Sequence, residues 1–179
     1  MNIQTSDPLI EAILEDWRDR IGDAFAGYSG HVYRVFNFCL ALHPCEKDSR
    51  QKIAIAACFH DIGLWSDHTV DYLPPSMAQA RAYLTRSGQD GWSSEICRMI
   101  EMHHKIRPCT DEIFPLVEVF RQADLVDFSL GLARSGLDGG YVKAVRNAIP
   151  NQGFHRFLLG LAGQWFRAHP FQPPPFMKW

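Results

Sequence analysis

At 179 residues the chain is long enough to bury a sizeable core and fits a single domain. Hydrophobic residues make up 46% and charged residues 21%, which excludes a disordered tract and matches an ordinary soluble globular protein. Lys and Arg number 18 against 20 Asp and Glu, a net charge of −2, so no global basic field points to a nucleic-acid polymer and any affinity for a phosphorylated ligand must be local.

The start, Met1 to Asp7, has no basic segment followed by an apolar core, so no secretory leader is expected, and no apolar stretch approaches the length of a membrane span. The five cysteines, Cys39, Cys45, Cys58, Cys97 and Cys109, include no C-x-x-C pair. Reduced thiols in a cytoplasmic protein are the simple expectation.

Asp7-Pro8 predicts a helix start, with Leu9, Ile10, Ile13, Leu14, Trp17 and Ile21 as its apolar stripe up to Gly22. A second helix is expected with Ser29 as its cap and His31 in its first turn, followed by Val32, Val35, Phe36, Cys39 and Leu40 and ending before Pro44. Asp48-Ser49-Arg50-Gln51 has the form of a capping box and starts a third. A loop follows from Leu64 to Pro75, holding His68, and Ser76-Met77-Ala78-Gln79 repeats the capping-box pattern for a helix to about Ser87. The turn Gly88 to Gly91 leads to a helix with Ile96, Met99, Ile100 and His103 on one face; His104 and Lys105 follow before Pro108 stops it. Phe114-Pro115 opens another, in which Val117, Phe120 and Asp124 share a stripe. Two more helices fit Leu137 to Ile149 and Gly153 to Ala168. The end, Phe171 to Trp179, is proline-rich and aromatic, an extended segment suited to packing on its own domain or on a second copy in a homodimer. With no alternating strand pattern, no P-loop and no Gly-rich dinucleotide fingerprint, the chain reads as all-α.

Ala56-Ala57-Cys58-Phe59-His60-Asp61-Ile62-Gly63 carries the chemistry. Ile53, Ala56, Ala57 and His60 recur at i, i+3, i+4 and i+7, so His60 falls on the buried face of a helix that Gly63 would end. Adjacent helical residues point about 100° apart, so His60 and Asp61 reach one point most easily where the helix stops. A buried carboxylate needs a partner, and a divalent cation would supply one. The alternative is a His60 that caps the helix end beside a solvated Asp61. His31 lies on an apolar face, where a hydrogen-bonded core histidine is the commoner role, and Asp124 stands where the periodicity expects an apolar residue, held either by a ligand or by Arg121.

The order His31, then His60-Asp61, then Asp124, on separate helices with His103-His104 between, resembles the HD-domain superfamily of metal-dependent phosphohydrolases over roughly residues 28–128. The resemblance implies an HD-like helical bundle with His31, His60, Asp61 and Asp124 as ligands of one divalent ion (Mn, Mg, Co, Ni, Fe or Zn). It also implies Asp61, His103 and His104 as catalytic groups, and Lys105 and Arg121 as substrate-binding groups. The substrate would be a small phosphorylated molecule such as a nucleotide. For Lys105 and Arg107, solvated residues at a helix end are an equal alternative. HD proteins with two metals place another histidine near the position of Ser76, and His68 comes too early to replace it, so a mononuclear site is expected. A non-hydrolytic HD enzyme, either a di-iron oxygenase or a hydratase, and a metal-retaining binding or regulatory module stand as the other readings.

Overall fold

Asp7 accepts hydrogen bonds from the backbone N–H groups of Leu9 and Ile10 at 3.0 and 3.4 Å. With Pro8 in the first helical position, this cap starts α1 (Pro8–Glu15) as the sequence predicts. The structure, a computed structural model, describes residues 2–44, 46–110 and 112–177, so expectations that fall on Met1, Cys45, Lys178 and Trp179 lie outside the described residues. The elements are α2 (Arg18–Ile21), α3 (Phe25–Leu42), α4 (Lys47–Phe59), α5 (Gly63–Ser66), α6 (Leu73–Arg86), α7 (Ser93–Met102), α8 (Leu116–Phe128), α9 (Gly139–Ala148) and α10 (Phe154–Ala168). The fold is all-α, with no β-strand among the described residues. No described helix is long and apolar enough to cross a membrane.

α3 packs against α4 and α8, α4 also meets α1 and α7, and α7 also meets α6 and α8. These four helices, α3, α4, α7 and α8, enclose an apolar core that includes Val35, Ile53, Ile100 and Phe120. Cys58, predicted to be a small core residue, is a fully buried thiol, and Cys97 and Cys109 are buried thiols as well.

α3 begins at Phe25, upstream of Ser29, so Ser29 is an interior residue and His31 sits in the second turn. The glycines of this stretch serve close packing. A Cβ on Gly30 would lie 3.0 Å from the Pro150 carbonyl oxygen, and one on Gly27 3.1 Å from that of Gln152. Tertiary contact with the segment before α10 therefore overrides the weak helix propensity of this stretch. α4 likewise starts one residue before Asp48, which occupies its first turn and not its cap.

The chain also departs from expectation at Gly63. Gly63 begins α5 with right-handed backbone and does not close α4 in a left-handed turn. Its lack of a side chain is required by a close approach, since a Cβ there would stand 2.2 Å from the Tyr72 carbonyl oxygen. Ser76 lies inside α6, and its hydroxyl accepts the Gly63 N–H at 2.9 Å. Pro74 and Pro75 fall in the first turn of α6, where a missing N–H costs nothing, so the expected long loop shrinks to residues 67–72. Beyond α8 the predicted helices hold, and Asp138 adds an unforeseen cap for α9 by accepting the Tyr141 N–H at 2.9 Å.

Gly63→Ala should destabilise the protein by about 1–3 kcal/mol, because the new methyl meets backbone that cannot move aside. Urea denaturation checks this, and an unchanged midpoint would contradict the packing described.

Candidate metal centre

The backbone N–H of His60 still reaches the Ala56 carbonyl at 2.9 Å, and residues 60–62 then turn, so His60 and Asp61 face a common point where α4 stops. His31 comes to that point from α3, Asp124 from α8, and His103 and His104 from the end of α7. His31 Nε2 stands 2.9 Å from His60 Nε2, 3.4 Å from Asp124 Oδ1 and 3.7 Å from Asp61 Oδ2. His60 Nε2 is 3.3 Å from Asp61 Oδ2 and 3.8 Å from Asp124 Oδ1. The ligand set that the resemblance implied is thus brought together in space, and all four residues are buried.

The outer nitrogens decide what the inner ones can do. His31 Nδ1–H donates to Asp127 Oδ2 at 2.7 Å, His60 Nδ1–H to the Ala57 carbonyl at 2.8 Å, and His103 Nδ1–H to the Ile100 carbonyl at 2.7 Å. Each bond fixes a tautomer whose Nε2 carries a lone pair toward the cluster. Two such lone pairs facing at 2.9 Å repel unless a cation or a proton lies between them. Asp61 Oδ1 and His103 Nε2, 3.5 Å apart, are buried without any hydrogen-bond partner. Orphaned buried donors and acceptors are rare in folded proteins, and a metal ion held there would account for these. The imidazole and carboxylate donors, with no thiolate, suit a six-coordinate divalent ion.

Charge tells the same story. Burial disfavours ionised carboxylates, yet His60, His103 and His31 hold Asp61 below its ordinary range, and His31, His103 and His104 do the same for Asp124. Burial also opposes charge on His31, but Asp124 and Asp127 overcome it and raise the imidazole to about 9. Burial lowers His60 to about 4, against the pull of Asp61. Without an ion, the proton on His31 therefore occupies the place a metal would take.

A second group overlaps the first. Asp61, His103 and His104 also offer ligand atoms within 4.8 Å of one another, with Asp61 common to both sets. Tyr72 hydroxyl and His104 Nε2 are 2.5 Å apart, which leaves His104 Nδ1 turned toward Asp124 Oδ2 at 3.8 Å. Burial holds the Tyr72 phenol well above its usual value, so it keeps its proton, and burial with the neighbouring His103 lowers His104 to about 3.

Arg121 does not hold Asp124. Its guanidinium binds Glu118 at 2.6 and 2.7 Å and the Lys105 carbonyl at 3.1 Å. Arg121 and Lys105 both line a cavity of about 660 Å³ that opens over His31, Asp61, His103, His104 and Asp124. His68 is exposed in the 67–72 loop and does not join the cluster; Ser76 is occupied by Gly63. Two residues that sequence reasoning passed over matter here. Asp127 continues the stripe of Asp124 by three residues, and Arg34 lies three beyond His31, so extending each helical face would have found both. Arg34 clamps Asp127 through Nε at 2.6 Å and Nη2 at 2.9 Å.

Compared with known proteins, the chain matches no family model, no curated protein and no solved structure.

Asp127→Asn should weaken metal binding by about 10–100-fold while the fold persists, as checked by competition titration with a chromophoric chelator. Because His31 carries a proton up to about 9 in the metal-free state, and Asp61 and Asp124 raise His103 against its burial as well, each ion bound near neutral pH should release at least about one proton. That release should fade, and apparent affinity should level off, as the pH passes about 9. Calorimetry in buffers of different ionisation enthalpy measures it.

Proposed function

We propose that the chain is a cytoplasmic, metal-dependent phosphohydrolase of a small phosphate ester, in keeping with its resemblance to the HD-domain superfamily. The observation that carries this reading is the set of three imidazoles whose outer nitrogens are all engaged, so that their Nε2 lone pairs meet two buried carboxylates. A divalent ion bound there would polarise a phosphoryl oxygen and lower the pKa of a bound water.

The chain's own groups have distinct parts in this reading. Asp61 directs Oδ2 toward His31 and His60 and leaves Oδ1 without a hydrogen-bond partner, placed to orient the attacking water and accept its proton. His104 receives the Tyr72 hydroxyl at Nε2, so Nδ1 can carry the ring proton and donate to a phosphoryl oxygen. Lys105 supplies a positive charge from the cavity wall. Arg121, its charge balanced by Glu118, contributes by fixing the Lys105 backbone.

A second reading has one specific observation behind it. Asp61, His103 and His104 form a second possible ligand group beside the first, which suits a two-ion centre and keeps the di-iron oxygenase alternative in view.

Elemental analysis of gently purified protein, together with a metal-rescue assay of phosphate release, distinguishes the two. The hydrolase reading expects metal-stimulated phosphate release that Asp61→Ala abolishes together with a fall in metal content; retention of both would sink it. About two irons per chain without phosphate release would favour the oxygenase.

A further inference from the structure

The floor and the walls of the cavity differ in kind. The floor is the His and Asp cluster, whereas Leu125, Phe128, Phe154, Leu158 and Phe176 furnish much of the wall. At its mouth, Ile106, Phe128, Leu130 and Leu159 are between 43% and 73% exposed, although large apolar side chains elsewhere are mostly buried in the core. Cationic groups are few. Arg121 is neutralised by Glu118, and Lys105 is the lining residue whose fixed positive charge meets no acidic side chain among the described residues. One divalent ion facing Asp61 and Asp124 would be balanced by those two carboxylates, so the wall adds a single positive charge. A polyphosphate chain would find no basic wall to neutralise it.

We propose that this cavity seats an apolar, ring-sized substrate body, which on the hydrolase reading above is the alcohol half of a phosphomonoester. Its volume falls in the range of small-molecule sites, and the pattern of an apolar wall over a few convergent polar groups is the one such sites use. The alcohol packs between α8 and α10, with Phe176 of the C-terminal segment closing the side toward Tyr72 and His104, whose rings lie 5.4 and 4.9 Å from it. The phosphate faces the cluster and Lys105. Water adds its oxygen to phosphorus, the P–O bond to the alcohol breaks, and the alcohol leaves with a proton.

The test measures binding apart from turnover. Calorimetry of the metal-loaded full chain compares 1-naphthylmethylphosphonate with methylphosphonate, neither of which can be hydrolysed. Phosphate release is followed in parallel from 1-naphthyl phosphate, AMP and ATP. The naphthyl compound should bind at least about 30-fold more tightly, from the apolar area it buries. Leu159→Glu, at a position exposed enough for the fold to survive, should reduce that ratio by about tenfold. Naphthyl phosphate should also be cleaved in preference to AMP and ATP. Equal affinities, or a preference for the nucleotides, would overturn the proposal. A strong naphthyl preference in binding with no phosphate release from any ester would leave the apolar seat standing and remove the hydrolase reading.

Discussion

Two unprotonated imidazole nitrogens cannot rest 2.9 Å apart in a dry interior, and the rest of the structure is arranged around that constraint. His31 and His60 are both buried, and the outer nitrogen of each is already committed. Beside them are two buried carboxylates that no Arg or Lys reaches among the described residues, so the cluster has a surplus of negative charge and electron pairs. Isolated buried charges of this kind cost several kcal/mol. A cation removes the repulsion and the surplus together; a proton on His31 turns the repulsion into an N–H···N hydrogen bond but offsets only part of the surplus negative charge.

That demand spreads outward through Asp127. This carboxylate takes the His31 N–H, is itself held below its ordinary pKa against the cost of burial by His31 and Arg34, and is fixed by the Arg34 fork. Arg34 also donates through Nη1 to the Ile149 and Pro150 carbonyls at 3.3 and 3.1 Å. The segment before α10 is thereby tied to α3, and Gly30 exists in its bare form because that segment passes so close. His155 Nε2, 3.0 Å from the Asp127 carbonyl, adds a second tie. The helix that walls the cavity is thus positioned by the same network that orients the first histidine.

How much of this could be read in advance follows from which signals are local. The helices came from periodicity, and His31, His60 and Asp124 stood out as polar residues on apolar faces with Asp61 adjacent to His60, but their grouping into one ligand set came from the resemblance and not from spacing. The errors cluster where glycine and serine have two meanings. Ser29-Gly30 and Gly63 look like helix boundaries, yet they are places where another segment comes within contact distance, and no local pattern distinguishes a glycine that turns from one that admits a neighbour. Ser76 looked like a cap and proved to be the acceptor for the Gly63 N–H. Asp127 and Arg34 were legible in principle, since each shares a helical face with a candidate ligand, Asp124 or His31. The partner of Arg121 was not fixed by the sequence, since Glu118 and Asp124 each lie three residues from it, and in the structure the guanidinium turns to Glu118.

A site of this composition is also selective by default. With the carboxylates able to neutralise one ion and a single wall cation left over, its electrostatic capacity for anionic ligands is small, in keeping with a chain whose net charge is −2. Apolar walls compensate in two ways. They take up hydrophobic surface from a ligand, and by excluding water they lower the local dielectric, which strengthens each remaining contact to Lys105 and to the cluster. The same low dielectric raises the cost of every charge a ligand brings beyond those the floor can match. A cavity so lined would discriminate through what it lacks: ligands with one compact anionic end and a large apolar remainder would lose little on entry, whereas extended polyanions would lose hydration that nothing on the wall restores.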